Sequence, residues 1–484
     1  MEFISIFKNI ITFIFLINIF LAVIVILFEK RDPTSTWTWL MIMFFVPILG
    51  FILYLFIGQD LRKQKFFYFK KEEEEDFLSS VQAQHNILTN EYLVQNNEFL
   101  SEYRDFIHLN LTTANSLFTH NNDVEILNNG SQKFPKLVET LKSATKFIHI
   151  QYYIFRDDDI GNEILNILIA KAKSGVEVKL LYDGMGCLRL PKTFFKPLQD
   201  VGGKVVCFFP PFVPYINLRV NYRNHRKICV VDGVYGFIGG LNIGDEYLGK
   251  DKNFGFWRDI HLLVMGDAVN SLETRFLLDW RFASKEDLGM LPKYFPPKDN
   301  VGKKPIQIVS SGPDSQWSAI RNCYLKMINK AEKSIYIETP YLIPDDSIMT
   351  ALKLASLSGI DVRIIIPCKP DHMFVYWATK SYAWELMDAG VKCYTYNNGF
   401  IHSKILAIDG TVCSVGTANL DMRSFKLNFE VNAMIYDKET TEKLESIFMD
   451  DIRLSTFLTE DHRKERPFII KAKEAISRLL SPVL

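Results

Sequence analysis

Two stretches near the start of the chain carry almost no polar side chains. Residues 10–28 read IITFIFLINIFLAVIVILF, with Thr12 and Asn18 as the polar members, and residues 39–57 contain no charged residue. Each is long enough, as a helix, to cross a hydrocarbon layer roughly 30 Å thick. Neither shows the polar face of a helix that lies on a soluble core. A cleaved leader fits the first run poorly, because the run is long and Glu29, Lys30 and Arg31 follow it in place of a small-residue cleavage site. The two runs and the short turn at 29–38, which holds Pro33, predict a transmembrane helical hairpin within residues 1–62. Trp37, Trp39 and Tyr54 sit near its ends, where aromatic rings favour the interface. Arg62, Lys63, Lys65, Lys70 and Lys71 follow the second run, against Lys30 and Arg31 in the turn, so both chain ends are expected in the cytoplasm.

The pattern then changes. Residues 70–76 (KKEEEED) read as a solvated charge run, and 77–111 as a polar helical stretch, so 63–114 is expected to be a partly helical linker. From about residue 115 strands and helices alternate. In 146–155 (KFIHIQYYIF) Ile148, Ile150, Tyr152 and Ile154 share one strand face. Asp157, Asp158 and Asp159 supply helix-start chemistry, Ile164, Leu165, Leu168 and Ala172 recur at helical spacing, and 176–182 is a short apolar strand. Strand, helix and strand at this spacing imply a parallel pair joined by a right-handed crossover. The same phrase returns later: KSIYIETPYL from Lys333 matches KFIHIQYYIF, and SGIDVRII from Ser358 matches SGVEVKLL from Ser174. An internal duplication into halves at 115–300 and 301–484 follows. The first half carries an extra apolar and aromatic segment at 210–223. At the end of the chain Ile469, Ala472, Ile476 and Leu479 share a helical face, with Lys471, Lys473 and Arg478 elsewhere. Docking on the domain and lying on an anionic membrane surface are both open readings of that helix.

Composition narrows the classes. Lys and Arg together number 56, as do Asp and Glu, so net charge makes no case for nucleic acid as a partner. The seven cysteines form no C-x-x-C pair, which points to reduced thiols and not to a disulfide frame. Cys229 and Cys413 lie in apolar strands and read as packing residues.

The candidate chemistry lies in two copies of one motif. Residues 224–242 read NHRKICVVDGVYGFIGGLN and residues 402–419 read HSKILAIDGTVCSVGTAN. His225, Lys227, Asp232, Gly239, Gly240 and Asn242 in the first answer to His402, Lys404, Asp409, Gly416, Thr417 and Asn419 in the second, and the interval from His to Asn is the same in both. A His and a Lys two apart on a strand point to one face. Two such pairs form a ring of donors suited to a phosphodiester and its five-coordinate transition state, with Asn242 and Asn419 as further donors. Gly239 and Gly240 allow close backbone approach. Asp232 and Asp409 belong to the set by position but read as turn residues that support it. One histidine attacks phosphorus and the other moves the proton of the leaving and entering alcohols. Asp259 and Glu430, each near the start of an apolar strand after its motif, are candidates to hold a histidine ring. The other histidines, such as His149 and His261, read as structural. No cluster of metal ligands is visible, and two lysines would repel a cation, so neither metal nor cofactor is expected.

The doubled motif resembles that of the phospholipase D superfamily. E-K-R-D-P-T-S-T-W-T-W-L, V-P-I-L-G-F-I-L-Y-L-F-I-G, G-V-E-V-K-L-L-Y-D-G-M-G, F-W-R-D-I-H-L, G-T-A-N-L-D-M-R-S-F and the terminal R-L-L-S-P-V-L resemble the bacterial cardiolipin synthases over nearly the full chain. The superfamily often has Gly-Ser where this chain has Gly416 and Thr417. The resemblance implies two tandem αβα sandwich halves forming one pseudo-two-fold catalytic unit at the bacterial cell membrane, with the catalytic part cytoplasmic. It implies phosphatidylglycerol as substrate, cardiolipin and glycerol as products, and a phosphohistidine intermediate. It also implies the pairs His225–Asp259 and His402–Glu430. His225 is expected to be the nucleophile and His402 the acid and base. The same motifs fit a hydrolase, or a transferase that uses phosphatidylethanolamine, and more remotely a membrane-tethered nuclease.

Overall fold

The computed structural model describes residues 2–28, 33–47, 49–57, 67–90, 98–210 and 221–481. The chain forms two compact units, residues 1–65 with 209–222, and residues 66–208 with 223–484.

In the first unit the helices Glu2–Phe28 and Pro33–Phe45 pack against each other. The second apolar run is not the single helix that its hydropathy suggests. It breaks into Pro33–Phe45 and Leu49–Ile57. Pro47 has no N–H to give the Met43 carbonyl four residues back. Asn18, buried in the middle of the first helix, donates its amide to that carbonyl at 2.8 Å instead. The polar exception in the first run thus meets the backbone acceptor stranded by the proline in the second, where an unpaired carbonyl would cost about 1–3 kcal/mol. Trp39 and Tyr54, two of the aromatic rings near the ends of the runs, are buried. They meet edge to face at 5.4 Å in a small core with Met43, whereas Trp37 is exposed. Among the described residues no helix is long and apolar enough to cross a membrane. Phe13, Leu16, Phe20, Phe44 and Phe45 are nonetheless each at least half exposed. The turn at 29–32 and most of the 210–223 insertion lie outside the described residues.

The second unit holds two sheets of the same design. The first runs in the order Asn122–Asn128, Ile260–Gly266, Tyr235–Gly239, Ile228–Val231, Phe147–Tyr152, Glu177–Asp183, Lys204–Phe208. The second repeats it with Ile306–Ser311, Asn428–Ile435, Val412–Gly416, Ile405–Ile408, Ser334–Glu338, Asp361–Pro367 and Lys392–Tyr396. Phe147–Tyr152 and Glu177–Asp183 pair in parallel around the helix Asp159–Lys173, and Ser334–Glu338 and Asp361–Pro367 do so around Asp346–Leu357. Both strand-helix-strand units are those that the repeated phrases predict. Helices cover both faces of each sheet, which is why the central strands, such as Ile228–Val231 and Ile405–Ile408, are buried throughout.

The stretch expected to be a linker is more than that. It forms the helices Lys71–Thr89 and Glu98–Ala114, and Tyr103, Phe106, Ile107 and Leu111 of the latter lie in the core beneath the second sheet. Their spacing is the apolar stripe of a core helix. Phe118–Thr119, just beyond, also joins the second sheet by pairing with Ile306 and Gln307.

Candidate active site

Two short crossings tie the halves together, and each carries one motif histidine. Arg223–Asn224 pairs in parallel with Asn428 and Phe429 of the other half, so that the His225 amide donates to the Phe429 carbonyl at 3.0 Å. Phe400–Ile401 pairs in parallel with Trp257–Arg258, and the His402 amide donates to the Arg258 carbonyl at 2.7 Å. Each histidine is therefore laid beside the carboxylate of the opposite half. His225 Nδ1 lies 3.0 and 2.9 Å from the two oxygens of Glu430. His402 Nδ1 lies 2.8 Å from Asp259 Oδ2. This reverses the pairing implied by resemblance, which put His225 with Asp259 and His402 with Glu430. The reason is that the carboxylate strand of each half ends against the motif strand of the other.

Both histidine side chains are 10% exposed. Burial pushes each down to about 4. At neutral pH both are uncharged. After burial, the largest influence on His225 is the Glu430 carboxylate, which works the other way and favours the imidazolium. On His402 the next influence is the Lys404 ammonium, which disfavours it. Each lysine donates to the carbonyl of its own motif histidine, and Lys404 Nζ lies in addition 2.8 Å from His402 Nδ1. Burial brings Lys227 down to about 7 and Lys404 to about 8, with Glu430 and Asp259 respectively opposing the shift. Lys404 acts electrostatically on His225, and Lys227 on His402. The four groups thus sense one another as a single cluster drawn from both halves. Among the described residues no three His, Cys, Asp or Glu side chains group as metal ligands do.

The remaining motif residues divide by place. Asp232 and Asp409 lie at the far end of the motif strands from the histidines. Each has positive φ in the turn that closes its hairpin. Asp232 accepts from the amides of Thr145, Lys146 and Phe147, and Asp409 from those of Glu332, Lys333 and Ser334. Grouping them with the catalytic residues needs correction: they staple the strand that backs the site and do not touch its centre. Asn242 is also turned to structure, donating to Tyr247 Oη at 3.0 Å and accepting from the Ile154 amide. Asn419 donates to Asp421 at 3.3 Å, and its own oxygen has no partner. The Thr417 hydroxyl accepts from the Val431 amide at 2.9 Å, beside Glu430.

Gly240 has a role that its place in the motif hints at. A Cβ there would lie 2.1 Å from Asp259 Oδ1, so the missing side chain is what admits the carboxylate that orients His402. Gly239 is equally closed, against the backbone of His261. Gly416 faces Asn432, whose Oδ1 would be 2.3 Å from a Cβ. Gly240→Ala is expected to displace Asp259 and lower turnover by about 10²-fold or more, a penalty typical of losing the orienting partner of an imidazole, beside a loss of stability of about 1–3 kcal/mol from overpacking. Steady-state rates beside a melting curve check this; an unchanged rate contradicts the role.

Four residues were not anticipated as part of the site. Tyr153 stands edge-on to His225 at 4.9 Å, and Trp257 lies 5.2 Å from His402. Arg226 points away from the centre and holds its crossing from behind. It pairs with Asp279 at 2.7 and 2.9 Å and donates to the carbonyls of Glu430 and Ser311. Arg258 does the same at the other crossing, with Asp451 at 2.5 Å and the Asp259 carbonyl at 3.0 Å. Strand alternation alone places Arg226 opposite His225 and Lys227, so that signal was present. His149 is held by Glu273 at 2.7 Å within the first half, away from the crossings.

The comparisons agree with this architecture. The profile of the "Cardiolipin synthase, PLD-like domain" matches residues 137–280 and 324–452, and that of the "Phospholipase_D-nuclease N-terminal" region matches 16–59. The chain is 47% identical over 484 residues to the major cardiolipin synthase of Bacillus subtilis, covering 99% of this chain and 100% of that one. It is also 47% identical to cardiolipin synthases of Listeria monocytogenes and Staphylococcus aureus over 97% of its length, covering 98% and 95% of those chains. The fold is similar to that of a phosphatidylserine synthase from Haemophilus influenzae, with a TM-score of 0.58 at 15% identity, covering 78% of this chain and 99% of that one. With two PLD-like halves sharing one cluster of paired histidines and lysines, and with this extent of likeness, the chain belongs to the cardiolipin synthase family.

Proposed function

We propose that the protein joins two molecules of phosphatidylglycerol, giving cardiolipin and glycerol. His225 Nε2 attacks the phosphorus of the first lipid. His402, which takes up a proton on Nε2 as the phosphate anion binds beside it, gives that proton to the terminal glycerol oxygen as the P–O bond breaks. The free hydroxyl of a second phosphatidylglycerol then gives its proton to His402 and attacks the same phosphorus, breaking the P–N bond. One phosphodiester replaces another, so no nucleotide is consumed.

The observation that carries this reading is the unequal dressing of the two rings. Among the described residues Glu430 alone meets His225 Nδ1, which leaves the Nε2 lone pair electron-rich. His402 Nδ1 meets both Asp259 and the Lys404 ammonium, and a cation at that distance makes a protonated ring a better acid. Lys227 and Lys404 neutralise the phosphoryl oxygens. The outward apolar side chains of the first unit and the match to the N-terminal family region support membrane placement of residues 10–57, and the excess of basic residues after the second run favours cytoplasmic chain ends.

Purified protein incubated with labelled phosphatidylglycerol, without added metal, is expected to give labelled cardiolipin and free glycerol. Phosphatidic acid as the sole lipid product favours a hydrolase. The pH dependence follows from the free site. His225 must be neutral to attack and His402 must carry the proton it gives, so kcat/KM falls below about pH 4 as His225 protonates and declines above it as His402 loses that proton. The lysines must be charged to hold the anion, so kcat/KM also falls as pH rises through about 7 to 8. Lys227→Arg is expected to move that alkaline limb upward in vesicles of fixed composition, and an unmoved limb rules out Lys227 as its source.

A further inference from the structure

The helix Phe468–Leu479 is mounted inside out. Its buried residues are Glu474 and Ser477, and it packs against the helix Met373–Met387 through polar contacts. Trp384 Nε1 donates to Glu474 at 3.1 Å, Arg466 pairs with Glu474, and Arg478 pairs with Glu385. The apolar side faces solvent: Phe468 is 85% exposed, Leu479 80%, Ile469 63% and Ile476 57%. At 100° per residue these four, with Ala472 and Ala475, span an arc of about 120°. Lys471 and Lys473 border that arc on its two sides, and both are exposed. The helix's one acidic residue, Glu474, is turned inward. A helix that merely completed a soluble core would bury the opposite face.

We infer that this helix is an in-plane membrane anchor: its outward face enters the interfacial layer of an anionic bilayer, and Lys471 and Lys473 meet lipid phosphates on either side. The two lysines at the borders of the apolar arc suit a surface on which ammonium groups rise to the headgroups while hydrophobic side chains sink. A protein partner of acidic surface would leave the four apolar groups unmatched. The inference rests on the reading that the substrates are bilayer lipids, and it adds a second contact with that bilayer on the catalytic unit itself.

The test uses full-length protein in phosphatidylglycerol-containing vesicles, with a nitroxide on Ile476→Cys and the identically treated parent chain as the baseline for native thiols. Collisions with oxygen several-fold more frequent than with a water-soluble nickel complex are expected. The reverse order overturns the inference. So does dipolar broadening that vanishes on dilution with unlabelled chain, which would mean that a second copy covers the face. Lys471→Glu with Lys473→Glu in the same labelled protein is expected to lower the oxygen preference several-fold, and an unchanged preference also counts against it. The label reports without turnover. An immersed label on a protein that makes no cardiolipin would refute the proposed reaction and leave the anchor standing.

Discussion

His225→Ala is expected to abolish cardiolipin formation, by about 10⁴-fold or more, whatever leaving group the donor lipid carries. His402→Ala is expected to be nearly as inactive with phosphatidylglycerol but not with a donor whose glycerol is replaced by p-nitrophenol. Glycerol leaves as a strongly basic alkoxide and needs a proton; p-nitrophenolate does not. His402→Ala should therefore release one p-nitrophenolate per active site in a rapid burst and then stall, because no base remains to activate the acceptor. His225→Ala should show no burst. The difference follows from the ring environments. The Nε2 of His225 is backed by Glu430, and His402 is backed by a carboxylate and an ammonium together. A burst from His225→Ala and none from His402→Ala would exchange the two roles.

The second large effect concerns the crossed carboxylates. Glu430→Gln keeps the shape of the side chain but removes the charge that holds the Nδ1 proton of His225. An imidazole that loses its orienting carboxylate loses about 10²- to 10⁴-fold in rate. Glu430→Gln is expected to slow the p-nitrophenolate burst by that range. Asp259→Asn should leave the burst largely intact and slow turnover with phosphatidylglycerol, since its partner is His402. In double-mutant comparison, Glu430→Gln should add little to His225→Ala, and Asp259→Asn little to His402→Ala. Coupling in the opposite pattern, Glu430 with His402, would show that the halves act with the same-half pairing that family likeness had implied.

That reversal marks the limit of what the chain alone could reveal. The repeated phrases at Lys146 and Lys333 predict the parallel units, and the doubled motif marks the histidines and lysines that the crossings bring together, because period and repetition are local signals. Which carboxylate meets which histidine depends on crossings of only two residue pairs, Arg223–Asn224 on Asn428–Phe429 and Phe400–Ile401 on Trp257–Arg258, and segments that short carry no period to read. The helical character of 98–111 is legible, but the place of Glu98–Ala114 in the core is masked by its polar outer face, although Phe106 and Leu111 are spaced for burial. Pro47 was visible within the second apolar run, but its consequence needed Asn18 from another helix. Arg226 and Arg258 escaped notice for a related reason: they lie beside the reactive residues and act on the far side of the strands.

The central claim is that one phosphorus passes through a bond to His225 at a site built jointly by the two halves. Rapid quenching of the full-length enzyme during turnover on phosphatidylglycerol, under alkaline conditions that preserve phosphoramidates, followed by peptide mass spectrometry, tests it most directly. A phosphatidyl adduct on the peptide that contains His225, formed and consumed at the rate of cardiolipin synthesis, is the predicted result. An adduct confined to the peptide that contains His402, or cardiolipin formed at full rate with no adduct on either histidine, would contradict it.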